Sequence, residues 1–144
     1  MNIKIKLLSA QAKMPAYATA GSACFDIATV DDNVDIRPGS WAVLGTDLAF
    51  EIPPGHVMMV YSRSGHGFKN GIRLANSVGV IDSDYRGELK IKLHNDSSRV
   101  FSINRGDRIA QAMIVPVQQV AFETTSDLSE TERGSGGFGS TGVK

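Results

Sequence analysis

The sequence predicts an all-β domain, a barrel or a jelly-roll sandwich, on three observations. The dominant hydrophobic period is two, turn signals recur at short intervals, and no window of a dozen residues carries a helical stripe. Ile3, Ile5 and Leu7 alternate with lysines, as in a strand with one buried face. Arg37-Pro38-Gly39 and Pro53-Pro54-Gly55 are turns, and the second opens the apolar run Val57 to Tyr61, read as a strand. At most a turn or two of helix fits between Arg63 and Gly67, before the Asn70-Gly71 turn. Gly79 to Gly87 holds two carboxylates, a tyrosine and an arginine between glycines. It reads as a tight β-hairpin running straight into a strand in which Leu89, Ile91 and Leu93 alternate with charged residues. Turns follow at His94-Asn95-Asp96 and Asn104 to Asp107, and the almost wholly apolar Ile109 to Val117 is the last strand. There is no internal repeat.

From Ser126 the chain is polar, and five of the nine residues from Gly134 to Gly142 are glycine. Such a segment buries too little apolar area to offset backbone ordering. The expected organisation is therefore a β domain over 1–125 and a mobile arm over 126–144. Within that arm Arg133 and Phe138 are residues for which a merely frayed tail has little use.

A chain of 144 residues forms one domain with a core of its own. Fifteen basic and fifteen acidic residues cancel, so no net field draws the chain to nucleic acid or a membrane surface. Any anion must be held by a local group of arginines and backbone amides. The single Cys24 forms no internal disulfide and suits a reducing compartment. The N-terminal segment alternates and holds no long apolar run, so neither a signal peptide nor a membrane span is expected, and a cytoplasmic location is. His56, His66 and His94 lie far apart, without zinc-ligand spacing.

Four further segments carry chemistry. Ser62-Arg63-Ser64-Gly65 sets an arginine between hydroxyls and before a glycine, so that side chain and backbone can converge on one anion. In Arg105 to Gln111 an amide, Gln111, enters an apolar strand, as a satisfied core group or a ligand. In Ala20 to Ile27, Asp26 sits among apolar neighbours, as a turn-capping carboxylate or part of a metal-water site. Gly134 to Gly139 matches GxGxxG formally, but only five residues follow, too few for the helix that fingerprint needs. What remains is a set of bare amides, the Ser140 and Thr141 hydroxyls and the Arg133 guanidinium, able to cradle phosphate, with Phe138 able to stack on a base.

Together these segments resemble the homotrimeric dUTPases, the deoxyuridine triphosphate nucleotidohydrolases. All five motifs of that family are present in order, as AGSACFDI, SRSG, GVIDSDYRGELKI, RGDRIAQ and RGSGGFGSTG. The resemblance implies a β jelly roll in a threefold homotrimer, with active sites shared between subunits and the arm closing over a neighbour. It implies dUTP hydrolysis to dUMP and pyrophosphate, which keeps uracil out of DNA and supplies dUMP for dTTP synthesis. Asp82 matches the general base that activates water for attack on the α-phosphorus. Tyr85 matches the ring beneath deoxyribose that leaves no room for a 2′-hydroxyl. Asn76 and the backbone of Val80 and Ile81 would read uracil, and Arg63, Ser64, Gly65 and Gln111 would contact the phosphate chain. Arg133, Gly139, Ser140 and Thr141 would grip the γ-phosphate, with Phe138 over the base. Mg²⁺ would be held mainly by the triphosphate, with Asp26 facing it through water.

Some positions depart from the commonest family pattern. Ser62 stands where proline is frequent, Cys24 replaces a small residue or tyrosine, and His66 and Phe68 make the loop after the second motif unusual. Two other readings compete. A dCTP deaminase of the same superfamily would carry a catalytic glutamate in the strand after the hairpin, where Glu88 stands. A regulatory trimer would bind dUTP and a protein partner without turnover.

Overall fold

Residues 1–142 are described by the structure, a computed structural model; residues 143 and 144, the end of the expected arm, lie outside the described residues. The strands, in chain order, are β1 (Lys4–Leu7), β2 (Ala16–Tyr17), β3 (Phe25–Ala28), β4 (Val34–Ile36), β5 (Trp41–Leu44), β6 (Leu48–Glu51) and β7 (His56–Tyr61). After a single π turn at His66–Asn70 come β8 (Ile72–Leu74), β9 (Gly79–Ile81), β10 (Ile91–Asn95), β11 (Phe101–Ile103) and β12 (Arg108–Pro116). They hydrogen-bond as β2-β3-β12-β7-β9, β5-β10-β8, β1-β6 and β4-β11, every pairing antiparallel. This is the all-β class that the period-2 pattern predicts, in the jelly-roll form that the family resemblance implies. No helix of the described residues is long and apolar enough to cross a membrane.

One apolar cluster joins these groups. Ile27 of β3, Leu44 of β5, Leu48 of β6, Met58 and Val60 of β7, Ile72 of β8, Leu93 of β10 and Ile109 of β12 are essentially inaccessible within it. Each such side chain contributes about 1.5–3 kcal/mol by leaving water, so the strand register follows from which face carries these residues. Three polar side chains are buried with them, and each is satisfied. Asn95 Nδ2 donates to the carbonyls of Ile36 (2.8 Å) and Arg99 (2.7 Å), Thr46 Oγ1 to Leu89 O (2.6 Å), and Thr29 Oγ1 to Gly45 O (2.9 Å).

Two expectations need correction. Gly79 to Leu93 is not a hairpin: β9 pairs with β7, whereas β10 pairs with β5 and β8 in another sheet. Glu88 to Lys90 is extended but belongs to no strand, and Leu89 N–H donates to Leu48 O at 2.8 Å. β10 is paired on both edges, with β5 and β8, so it has no edge left for β9. The turn expected at His94 to Asp96 is also displaced. Asn95 ends β10, its side chain buried as a cap for the loop that follows, and the bend falls at 97–99.

The turns at Arg37–Gly39, Pro53–Gly55 and Asn104–Asp107 form where expected, closed by Ser40 N to Arg37 O, His56 N to Pro53 O and Asp107 N to Asn104 O. The short helical segment is the π turn, which ends on Gly71 at φ 65°, a left-handed conformation that suits glycine. Strand structure ends at Pro116. Beyond Val117, whose N–H donates to Gly55 O, the hydrogen bonds among the described residues are all local.

Candidate active site

β12 carries the first part of the site because it runs between β3 and β7. Its Gln111 lies opposite Asp26 on one side and Tyr61 on the other. Asp26 thereby faces the loop that leaves β7. Its Oδ1 accepts Arg63 Nε at 3.1 Å and its Oδ2 accepts Arg108 Nη1 at 2.9 Å. The Asp26 side chain is only 16 % exposed, and the two guanidinium groups offset its desolvation. Gln111 Nε2 donates to Ser62 O at 3.0 Å and so ties the loop to β12. Ser62 Oγ accepts Leu74 N–H at 2.8 Å, which gives this departure from proline a structural use, since proline has no such acceptor. Arg63, Ser64, Gly65, Arg108, Gln111, Asp26 and Cys24 line one open cleft of about 380 Å³.

That cleft suits an anion. Arg63 uses its Nε–H on Asp26 and one Nη1–H on Arg108 O, leaving three of its five donors. Among the described residues there is no group of three His, Cys, Asp or Glu side chains that could hold a metal ion. Asp26 is the acidic group present, and an arginine engages each of its oxygens. The remaining lone pairs can meet a water on an ion carried in by a phosphate chain.

The second part lies around β9. Val80, Ile81, Asp82, Tyr85, Glu88, Leu89 and Lys90 line a cleft of about 540 Å³. An adjoining one of about 350 Å³ is lined in part by Asn76, Gly79, Leu74 and Lys92, and the two share Ile81, Leu89 and Lys90. Tyr85 N–H donates to Asp82 O at 3.3 Å, closing the turn that holds acid and ring together. The Tyr85 hydroxyl donates to Glu88 O at 3.0 Å. Its ring lies so near Gly87 that a Cβ there would meet Tyr85 Cζ at 2.6 Å.

The carboxylates of the two parts differ in one respect. Asp26 is clamped by two arginines. Glu88 Oε1 accepts the backbone N–H groups of Thr46 (3.1 Å) and Asp47 (3.2 Å), and Oε2 lies 3.5 Å from Lys90 Nζ. Glu88 thus serves as a cap for the β5–β6 turn, a poor position for the acid of a deaminase. Among the described residues Asp82 alone of the three has no side-chain or backbone donor on its carboxylate, and it is exposed at the cleft.

The third part stands apart. Arg133, Phe138, Gly139, Ser140 and Thr141 are exposed and line neither cleft. One chain therefore brings Asp26, Arg63, Ser64, Gly65 and Gln111 together, and separately Asn76, Val80, Ile81, Asp82 and Tyr85; it unites neither set with the arm. Sequence reading missed Arg108 as the second clamp on Asp26, although RGDRIAQ contains it. It also assigned no role to His66, whose partners Arg108 and Phe101 are distant in sequence. Nothing in the structure explains Phe68, which is 95 % exposed.

Comparison with known proteins adds a common theme. A family model described as dUTPase matches residues 10–142. The chain is 50 % identical over 142 residues to the deoxyuridine 5′-triphosphate nucleotidohydrolase of Nautilia profundicola, covering 99 % of each. It is 44 % identical to that of a Hydrogenobaculum species over the full length of both. Among solved structures, the dUTPase of Staphylococcus bacteriophage 80alpha with dUPNHPP superposes with a TM-score of 0.90 at 32 % identity, over 99 % of each chain. A variant of the S. aureus phage phi11 dUTPase, described with a structural Mg(II) ion, superposes at 0.82 and 27 % identity, over 90 % of this chain and 100 % of that one.

Proposed function

We infer the reaction from the family: this chain belongs to the dUTPase family, and it hydrolyses dUTP to dUMP and pyrophosphate. The division of labour among its residues is our proposal, and the unengaged carboxylate of Asp82 beside Tyr85 carries it. A carboxylate without competing donors can accept a hydrogen bond from water and take its proton as that water attacks the α-phosphorus in line, with pyrophosphate leaving. Arg63, Ser64, Gly65 and Gln111 hold the phosphate chain and neutralise charge that grows on the phosphoryl oxygens. Asn76 and the backbone of Val80 and Ile81 pair with the uracil edge. Buried groups left unpaired by cytosine, and the bulk of the thymine methyl, exclude the other bases. Tyr85 lies beneath deoxyribose and excludes a 2′-hydroxyl.

Three features of this reading go beyond one chain. We propose a homotrimer in which each site combines the Asp26–Arg63 cleft, the β9 cleft and an arm from different subunits; the separation of the three parts in one chain supports it. In such a trimer the described part of the arm, 126–142, is mobile until substrate binds. Arg133, Gly139, Ser140 and Thr141 then hold the γ-phosphate, and Phe138 covers uracil. Asp26 would face, through water, an Mg²⁺ ion held mainly by the triphosphate, and that ion would supply charge neutralisation on the phosphates. We place the protein in the cytoplasm, where it keeps uracil out of DNA without binding nucleic acid itself; the lone Cys24 and zero net charge agree with this.

The test offers dUTP, dTTP, dCTP and UTP in parallel, with Mg²⁺, and reads pyrophosphate and ammonia. Release of pyrophosphate from dUTP alone is expected. Ammonia from dCTP would bring back the deaminase, and binding of dUPNHPP without turnover of any of the four would bring back the regulatory trimer.

A further inference from the structure

His66 stands behind the Arg63 cleft with no part in the assignments above. Its Nε2 lies 2.8 Å from the carbonyl oxygen of Arg108. A carbonyl only accepts, so Nε2 carries the proton. The same nitrogen then has no lone pair to offer, and the 3.4 Å approach of Arg63 Nη1 is a packing contact. Arg63 Nη1 donates to that same Arg108 carbonyl at 3.0 Å. The imidazole also packs edge to face with Phe101, with centroids 5.3 Å apart. Its backbone sits at the start of the π turn, itself closed onto Arg63 by Gly67 N–H to Arg63 O at 3.0 Å.

The result is a closed circuit. Arg63 binds Asp26, Asp26 binds the Arg108 side chain, and the Arg108 carbonyl is held by Arg63 and His66 together. We propose that His66 is a positioning residue for Arg63. By fixing the Arg108 carbonyl on a rigid ring, it aims the three remaining Arg63 donors into the cleft and so sets the grip on the phosphate chain. The proposal rests on the reading that Arg63 contacts those phosphates. An apolar residue of similar bulk would fill the same space beside Phe101 but would take the His66 donor away from the carbonyl.

The experiment compares His66→Leu, His66→Gln and Arg63→Lys with the unaltered protein. It measures KM and kcat for dUTP, affinity for dUPNHPP and for dUMP, and the thermal midpoint. His66→Leu is expected to weaken dUPNHPP binding and raise KM about three- to tenfold, the scale of one hydrogen bond, with kcat and dUMP affinity changed less. His66→Gln, whose amide nitrogen reaches the same carbonyl, is expected to restore most of the loss. His66→Asn, one carbon short, provides a polar variant without that reach should His66→Leu fold poorly, and is expected to behave as His66→Leu. An unchanged dUPNHPP affinity in His66→Leu, an equal loss for dUMP, or a glutamine variant no better than asparagine would overturn the proposal. If Arg63→Lys leaves dUPNHPP affinity intact, the phosphate reading of Arg63 fails and takes the proposal with it. If Arg63→Lys weakens binding while His66→Leu does not, only the role of His66 fails.

Discussion

Asp26, inside β3, and Asp82, just beyond the end of β9, are both aspartates, yet their surroundings give them opposite uses. Two arginines hold Asp26, whereas the Asp82 carboxylate is free to take a proton. Asp82→Asn is therefore expected to lower turnover about 10²-fold or more while dUPNHPP binding is largely kept. Near-normal turnover in that variant would remove Asp82 as the base. Cys24, in the cleft beside Asp26, is the second residue-scale case. Burial pushes its thiol up from 9.0, and the negative charge of Asp26 adds to the shift. A raised pKa leaves the thiol protonated at neutral pH, and only the thiolate alkylates. Modification by iodoacetamide should thus be slow at neutral pH and rise with a midpoint above that of free cysteine; a midpoint at or below that of free cysteine would contradict the assigned cause.

The Gly79 to Lys90 segment shows what an element contributes that its residues do not. Because β9 and β10 belong to different sheets, the segment crosses between them, and its turn projects Asp82 and Tyr85 at the crossing. Gly87 is the position that lets the Tyr85 ring pack close against the backbone, with no Cβ to meet Cζ at 2.6 Å. Gly87→Ala should leave a folded protein whose ring is displaced, and whose preference for dUTP over UTP falls about tenfold or more, the scale of one lost close contact. Parallel kcat/KM measurements on the two nucleotides check this. Unchanged discrimination would return Tyr85 to the role of a covering aromatic. The alternation of Leu89, Ile91 and Leu93 was legible because burial of one face imposes a period of two. The pairing partners were not, since any antiparallel strand with the same inner face satisfies that pattern.

For the molecule as a whole, the separation of the arm from both clefts yields a prediction that needs no structure of the assembly. Removal of the chain from Arg133 onward should leave a folded protein of sharply reduced activity. Co-expression of that truncated chain with the Asp82→Asn chain should then give mixed assemblies more active than either alone. A site with Asp82 from one chain and an arm from the other is complete. If each chain kept its own arm, both kinds of chain would be defective in every site, and no recovery would appear.

The sequence by itself determined the all-β class, most turns and the residue types of the site, because each depends on local chemistry. Apolar alternation, proline and glycine at turns, and an arginine among hydroxyls all act within a few positions. The tertiary structure decided which strands pair, why Ser62 replaces proline, and how Arg108 and His66 join Arg63 and Asp26. The hydrogen bonds that tie Ser62 to Leu74 and join Asp26, Arg63, His66 and Arg108 link residues 12 to 82 positions apart, and only the packing of the strands around one core brings them within hydrogen-bonding distance.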